Sequence, residues 1–362
     1  MNSFANSFVN SFANSDIHEF ARRIPKVDVH CHLTGSLGID PLLELCGRHA
    51  RSIDVGRLRD AYDVTGAPPE QREGKFFDAL DIVASLLTSP EDLEFAVYSI
   101  ARDGARSGNL RYLEMFVNPT ALARTGMSFA QIRDGLVRGS RSAYADHRVI
   151  VRFIVCILRD EPTSYAEQLI DDFIEYRTDD FIGIGLDGPE LLPQSPAERF
   201  AAVYQRAGKA GFRRTAHLTE TPPESLFACL DSLGCDRIDH GYPVTEDATA
   251  LRRAVDSGVF FTCCLTITRD INGSVDDRYR APQTHPTTHM MSAGLPIVLG
   301  TDDGALVGTN IGDEYALAAH WYGWGKEQLM ALSMRGLDAA WIDDAERSTL
   351  RAEFAAEFER LS

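Results

Sequence analysis

The chain has 362 residues, of which 44% are hydrophobic, and a formal net charge of −17. That composition supplies an ample buried core, while the acidic balance argues against general binding to nucleic acid or to anionic membranes. Seven cysteines with no CxxC pair read as reduced thiols of a cytoplasmic protein.

Residues 1–22 open with an Asn-Ser-Phe-x repeat of period four. The repeat lacks a basic start and a continuous apolar stretch, so it reads as a low-complexity leader without a catalytic role and not as a signal peptide. Residues 23–362 read as one domain. Short apolar, β-branched runs recur along it: Val27–Leu33, Leu110–Val117, Val149–Leu158, Phe181–Leu186, Phe212–Leu218, Arg237–His240, Val259–Thr266 and Pro296–Gly300. Several are apolar at nearly every position, as parallel strands covered on both faces are. Helical patterns such as Glu167–Tyr176 and Ala197–Ala210 separate them. Eight strand–helix units predict an α/β fold, a closed (β/α)8 TIM barrel. The longest insertion, about residues 38–108 after the first strand, reads as helical and placed to cap the barrel mouth. The run Val149–Leu158 is too short for a membrane span and is broken by Arg152. Cys263 and Cys264 are adjacent in a predicted strand, where neighbouring side chains point to opposite faces, so no disulfide between them is expected.

The chemistry gathers at strand ends. The first run ends His30-Cys31-His32, and residues i and i+2 of a strand share a face. Two histidines on one face of an apolar strand need partners to offset their desolvation. The fifth run ends at His217 with Glu220 three residues on, the sixth at His240-Gly241, and the eighth at Thr301-Asp302-Asp303-Gly304. In a barrel these ends converge on one mouth, where barrel enzymes keep their active sites. Imidazole plus carboxylate suits Zn2+ or Fe2+ better than Mg2+ or Ca2+. The seven groups exceed one metal's needs and leave some for proton transfer, so metal-assisted attack of water on an electrophilic carbon is the natural chemistry.

Two patterns are set aside. Gly183-x-Gly185-x-x-Gly188 has dinucleotide-fingerprint spacing but lies within and at the end of the fourth run, and Pro189 follows it. His285-Pro-Thr-Thr-His289 lacks the Glu of a metalloprotease helix and reads as capping or surface residues. His18, His49 and His147 have no motif around them.

Taken in order, His30-Cys-His32-Leu-Thr-Gly, Leu186-Asp-Gly188-Pro-Glu190, His217-Leu-Thr-Glu220, Asp239-His240-Gly241 and Thr301-Asp302-Asp303 resemble the adenosine deaminase family. The resemblance extends from Lys26 to the final helix and includes Ala339-Ala-Trp-Ile-Asp. It implies one Zn2+ held by His30, His32, His217 and Asp302, with a position left for water. His240 would orient that water, and Asp303 would position it or the purine. Glu220 would protonate the ring nitrogen beside the attacked carbon, which requires an environment that raises its pKa. Gly188 would let the purine edge approach the backbone. Phe76, Phe77 and Leu80 resemble the family's apolar lid, against the alternative of ordinary helix packing. The partner implied is a small purine nucleoside or nucleotide; the sequence leaves the oligomeric state open, a homo-oligomer included.

The departures surround the substrate. Thr34 stands where the family carries an acid or Asn that meets the ribose, and Leu218-Thr219 replaces Ala-Gly beside the acid. A neutral hydroxyl tolerates a phosphate or another 5′ group better than a carboxylate does. The expectation is therefore deamination of a modified adenine nucleoside or nucleotide. An amidohydrolase of another aminated heterocycle and a non-catalytic purine-binding relative are the alternatives. Cytidine-type deaminases are excluded, because Pro-Cys-x-x-Cys is missing.

Overall fold

Every strand pairing is parallel. A computed structural model describes residues 16–48, 55–190 and 196–361; the repeat up to Ser15, and His49, lie outside them. The strands are β1 (Lys26–His32), β2 (Leu110–Val117), β3 (Ile150–Leu158), β4 (Phe181–Asp187), β5 (Arg213–Arg214), β6 (His217–Leu218), β7 (Arg237–His240), β8 (Phe260–Cys263) and β9 (Ile297–Leu299). β1 to β5 form one ladder in sequence order and β6 to β9 another. The protein is a TIM barrel, and the two ladders are joined at both seams.

One seam is the fifth predicted run, which splits into β5 and β6. Between them the Thr215 amide donates to the Ile184 carbonyl at 3.0 Å and the Asp239 amide to the Ala216 carbonyl at 3.0 Å, so the stave continues. It is irregular because side chains take its carbonyls: the Tyr204 hydroxyl donates to Thr215 at 2.7 Å and Arg159 to His217 at 2.8 Å. At the other seam, the Asp302 amide donates to His30 at 2.8 Å and the His32 amide to Asp302 at 3.1 Å. The Asp28 carboxylate accepts the Thr301 hydroxyl at 2.6 Å across the same gap. Gly300 makes this approach possible, since a Cβ there would lie 2.6 Å from His30 Cβ.

β1 shows why its reading as an apolar strand was incomplete. Its odd-numbered side chains, Val27, Val29 and Cys31, join the large hydrophobic core. The even-numbered set, Lys26, Asp28, His30 and His32, is also buried, on the opposite face of the strand. At the base of the barrel the buried Arg237 meets Glu114 at 2.7 Å and lies 4.0 Å from the centre of the Trp341 ring. Trp341 closes that end, and a Cβ at Gly183 would come within 2.6 Å of its ring. Gly185 abuts Cys156 and Phe116, and Gly188 adopts φ +92. The three glycines of the false fingerprint thus serve packing and a turn.

Helices fill the insertion after β1: α2 (Leu33–Ser36), α3 (Ile39–Arg48), α4 (Val55–Tyr62), α5 (Pro69–Leu86) and α6 (Pro90–Gly108). The leader reading ran too far at its end. Asp16–Arg23 form α1, which buries Phe20 and Ala21 and ties Arg22 to Asp313 at 2.8 Å. The seventh run was also overextended, because β8 ends at Cys263 and a helix starts at Leu265. No disulfide joins the seven cysteines, and all are buried. Among the described residues, no helix is long and apolar enough to cross a membrane.

Replacing Arg237 by Met takes the cation from buried Glu114, which keeps the neutral donors of the Tyr112 hydroxyl at 3.0 Å and the Trp341 amide at 2.6 Å. Loss of about 3–5 kcal/mol is expected, read as a lower urea midpoint; an unchanged midpoint would show that those two donors suffice.

Candidate metal centre

The strand ends deliver the side chains together. His30 and His32 leave β1, His217 opens β6, His240 ends β7, and Asp302 and Asp303 follow β9. All six are buried. His32 Nε2 and His217 Nε2 are 3.2 Å apart. Asp302 Oδ1 lies 3.5 Å from His32 Nε2 and 3.9 Å from His30 Nε2, and Asp302 Oδ2 lies 3.4 Å from His240 Nε2. Three overlapping groups, His30-His32-His217, His30-His240-Asp302 and His32-Asp302-Asp303, each place their ligand atoms within 4.8 Å of one another.

The outer shell fixes which nitrogen faces inward. Thr262 donates its hydroxyl to Asp239 at 3.1 Å, so its lone pair accepts from His30 Nδ1 at 2.7 Å. His217 Nδ1 donates to the Leu186 carbonyl at 2.9 Å. Both rings therefore carry their proton on Nδ1 and turn a bare Nε2 lone pair to the centre, an assignment read from the hydrogen-bond network. His30 Nε2 is buried with no hydrogen-bond partner. His217 Nε2 lies 3.2 Å from His32 Nε2, and with the lone pairs of both turned inward they would repel unless a cation lay between them; nitrogen with carboxylate oxygen is the donor set of a borderline transition metal. The residues fit such an ion, and the second layer of Thr262, Asp239 and Leu186 is what orients ligating histidines.

Electrostatics agree. Burial, opposed by the neighbouring His30 ring, raises the Asp302 carboxyl to about 6, and burial raises Asp303 to about 7. Burial and then the His30 and His217 rings hold His240 well below its ordinary value. Asp187 is pushed up by burial, but the His32 and His217 rings outweigh that and hold it at about 2. His240 and Asp302 also adopt φ +63 and +59, two of the four non-glycine positive values among the described residues. Such backbone costs about 1–3 kcal/mol per residue and persists where neighbours over-determine it. Gly35 is a steric requirement, since a Cβ there would lie 1.8 Å from Asp303 Oδ1.

A cavity of about 320 Å³ opens above the cluster. Thr34, Gly188, Glu220 and α5's Phe76, Phe77 and Leu80 all line it, as do His32, His217, His240, Asp302 and Asp303. Phe76 and Leu80 also pack on the cluster of Val64, Ala79 and Leu306, as the packing alternative expects, while Phe77 stays 40% exposed. Glu220 is exposed at the mouth; partial burial, Glu190 and Glu73 raise its carboxyl pKa. Asn272 approaches it at 3.4 Å.

Sequence reasoning missed Asp187, Asn118, Asp239, Thr262 and Glu190. Asp187 ends β4, takes a hydrogen bond from Asn118 at 3.0 Å and faces His32 Nδ1 at 3.6 Å; its place at a strand end was the available signal. The His285–His289 pair divides. His285 is buried and caps its helix through the Thr287 amide at 3.3 Å, and His289 is exposed.

The family model described as adenosine deaminase matches residues 25–357. The chain belongs to the adenosine deaminase family. An adenine deaminase of Streptomyces coelicolor is 30% identical over 343 residues, covering 93% of this chain and 95% of that one. An aminodeoxyfutalosine deaminase of the same organism is 28% identical over 336 residues, covering 91% and 83%. Among solved structures, an amidohydrolase from Burkholderia ambifaria with bound Zn superposes with a TM-score of 0.86 at 30% identity, over 96% of this chain and 94% of that one. Arabidopsis ADAL complexed with IMP gives 0.82 at 25% identity, over 95% and 100%. The adenosine deaminase-family chain is thus a hydrolytic deaminase, and its cluster takes a divalent metal.

In this deaminase, Thr262→Val removes the acceptor that fixes the His30 tautomer. Metal affinity is expected to fall about 10–100-fold in a competitive chelator titration, and His30→Ala to abolish stoichiometric binding. Full occupancy of His30→Ala by elemental analysis would refute the ligand assignment.

Proposed function

We propose that this deaminase holds Zn2+ through His30, His32, His217 and Asp302 and converts the 6-amino group of an adenine-containing nucleoside to a 6-oxo group, releasing ammonia. The observation that carries this reading is the convergence of the His30, His32 and His217 Nε2 atoms, His30's without a hydrogen-bond partner, beside Asp302 at the floor of a cavity with Glu220 at its mouth. When bound, the metal supplies Lewis-acid activation of water near neutral pH.

The chain's own residues do the rest. Glu220, whose carboxyl pKa is raised by partial burial and by Glu190 and Glu73, gives its proton to the purine ring nitrogen beside the carbon under attack. His240 turns Nε2 toward the centre, 3.4 Å from Asp302, and with Asp303 lines the cavity floor, where both orient water or the leaving amine. Water adds its oxygen to the ring carbon, and the exocyclic amine departs as ammonia with the protons balanced between water and Glu220. Gly188 has no side chain to obstruct the purine edge. Phe76, Phe77 and Leu80 exclude water from above.

Charge bears on the substrate. Six carboxyl groups line the cavity, from Glu73, Asp187, Glu190, Glu220, Asp302 and Asp303, and among the described residues no lysine or arginine does. In this reading the metal answers Asp302 and Glu220 is protonated, so a phosphate seated away from the metal meets Glu73, Asp187 and Glu190 without a basic side chain. An uncharged modification avoids that repulsion. A nucleotide substrate is the second reading, favoured by the likeness to ADAL complexed with IMP.

Amine release, ammonia or for N6-methyl-AMP methylamine, measured over adenine, adenosine, aminodeoxyfutalosine, 5′-AMP and N6-methyl-AMP separates the two. Turnover of neutral compounds above their phosphorylated counterparts is expected; the reverse order selects the nucleotide reading, and silence on all of them with full metal sinks deamination of adenines. Glu220→Gln is expected to keep its metal and lose about 10²–10⁴-fold in kcat. Normal turnover by that variant would remove Glu220 from the acid role.

A further inference from the structure

The turn that carries Glu220 is gripped from the neighbouring stave. Glu190, two residues beyond Gly188, directs its carboxylate at three successive backbone amides. Thr219 donates to its two oxygens at 2.9 and 3.0 Å, Glu220 donates at 3.0 Å and Thr221 at 3.1 Å. Consecutive amides turned toward one anion form a concavity with a fixed positive potential, and bonds to an ionised acceptor are about twice as strong as neutral ones. Glu190 is itself held in place. Gly188 turns the chain at φ +92, and its amide donates to Asp187 Oδ1 at 2.7 Å. Asp187 in turn faces His32. The clamp therefore links the Glu220 turn to the wall of the metal centre.

We propose that Glu190 is a positioning residue for the reaction, clamping the Thr219–Thr221 turn so that the Glu220 carboxyl meets the purine ring. The proposal rests on Glu220 as the acid. Other anchors on Glu220 are weak: it is exposed, and Asn272 reaches it only at 3.4 Å. Without the clamp, the Glu220 turn would be free to reorient, and a displacement of 1 Å at a reacting group costs about 10² in rate. Glu190 has a second effect through space. With Glu73 on α5, it is one of the two charged groups that oppose ionisation of Glu220, alongside burial.

Three variants of the metal-loaded protein test this, each with metal content, kcat and KM across pH, and hydrogen exchange of the 219–221 amides. Glu190→Gln removes the charge and sets an amide NH2 against the turn's donors. It is expected to keep full metal and a KM within about 3-fold, to lose about 10–100-fold in kcat, and to exchange the three amides faster. The acid must be protonated to act, so activity falls as pH rises through its pKa; losing the like charge lowers that pKa and moves the basic limb of kcat to lower pH. Glu190→Asp keeps the charge on a shorter stem and should lose kcat with the limb unmoved. Glu220→Gln serves as the reference. If it is inactive while Glu190→Gln has wild-type kcat, or shows unchanged exchange at the three amides, the clamp is wrong and the acid assignment stands. Metal loss in both Glu190 variants would mark a purely structural role and overturn the proposal. If Glu220→Gln is fully active, the acid assignment fails first, and the clamp's function falls with it.

Discussion

The contact between the first and last strands is the constraint on which the site depends. Asp28 holds Thr301 through its hydroxyl at 2.6 Å and receives the His30 amide at 3.1 Å, while Asp302 exchanges two backbone bonds with His30 and His32. Barrel closure and ligand assembly are therefore one event. Asp302 has no other route to the three imidazoles, and its left-handed backbone is tolerable because those two bonds hold it there. Gly300 and Gly35 are needed at the same seam, where side chains would strike His30 and Asp303. Little of Asp28 reaches water, and that burial raises its carboxyl to about 7.

The interior is organised in tiers. At the base, Arg237, Glu114 and Trp341 fill the closed end with an ion pair and a stacked ring. Above them Asp239 and Thr262 hold no ligand atom but decide which face of His30 is basic. The metal-facing atoms form the next tier, and the acidic cavity beneath α5 the last. Each tier desolvates the one above it, which makes interactions between fixed charges stronger than they would be in water. Strain and raised carboxyl pKa values are concentrated in the third tier, where an ion would relieve the repulsion between lone pairs.

Much of this was legible because barrel strands announce themselves. The eight apolar runs coincide with the staves, and the motifs at their C-terminal ends coincide with the cluster. What was missed followed from physical causes. Asp28 and Asp239 sit within runs read as apolar, and a two-residue period alone does not tell an inward polar column from an outward one. The fifth stave looked continuous, but Tyr204 and Arg159, distant in sequence, compete for its carbonyls. Glu190 was visible as part of a motif, but its grip on the amides of another loop is a tertiary fact. Asp16–Arg23 were absorbed into the leader because a repeat ahead of them obscured a short amphipathic helix.

The seam between Asp28 and Thr301 spans 273 positions of sequence. During synthesis the amino-terminal imidazoles leave the ribosome long before the aspartate that completes their coordination. A truncated or stalled product can carry His30, His32 and His217 and still own no finished binding pocket. A chain that stops before its last stave therefore lacks the acidic side of the cluster, Asp302 and Asp303.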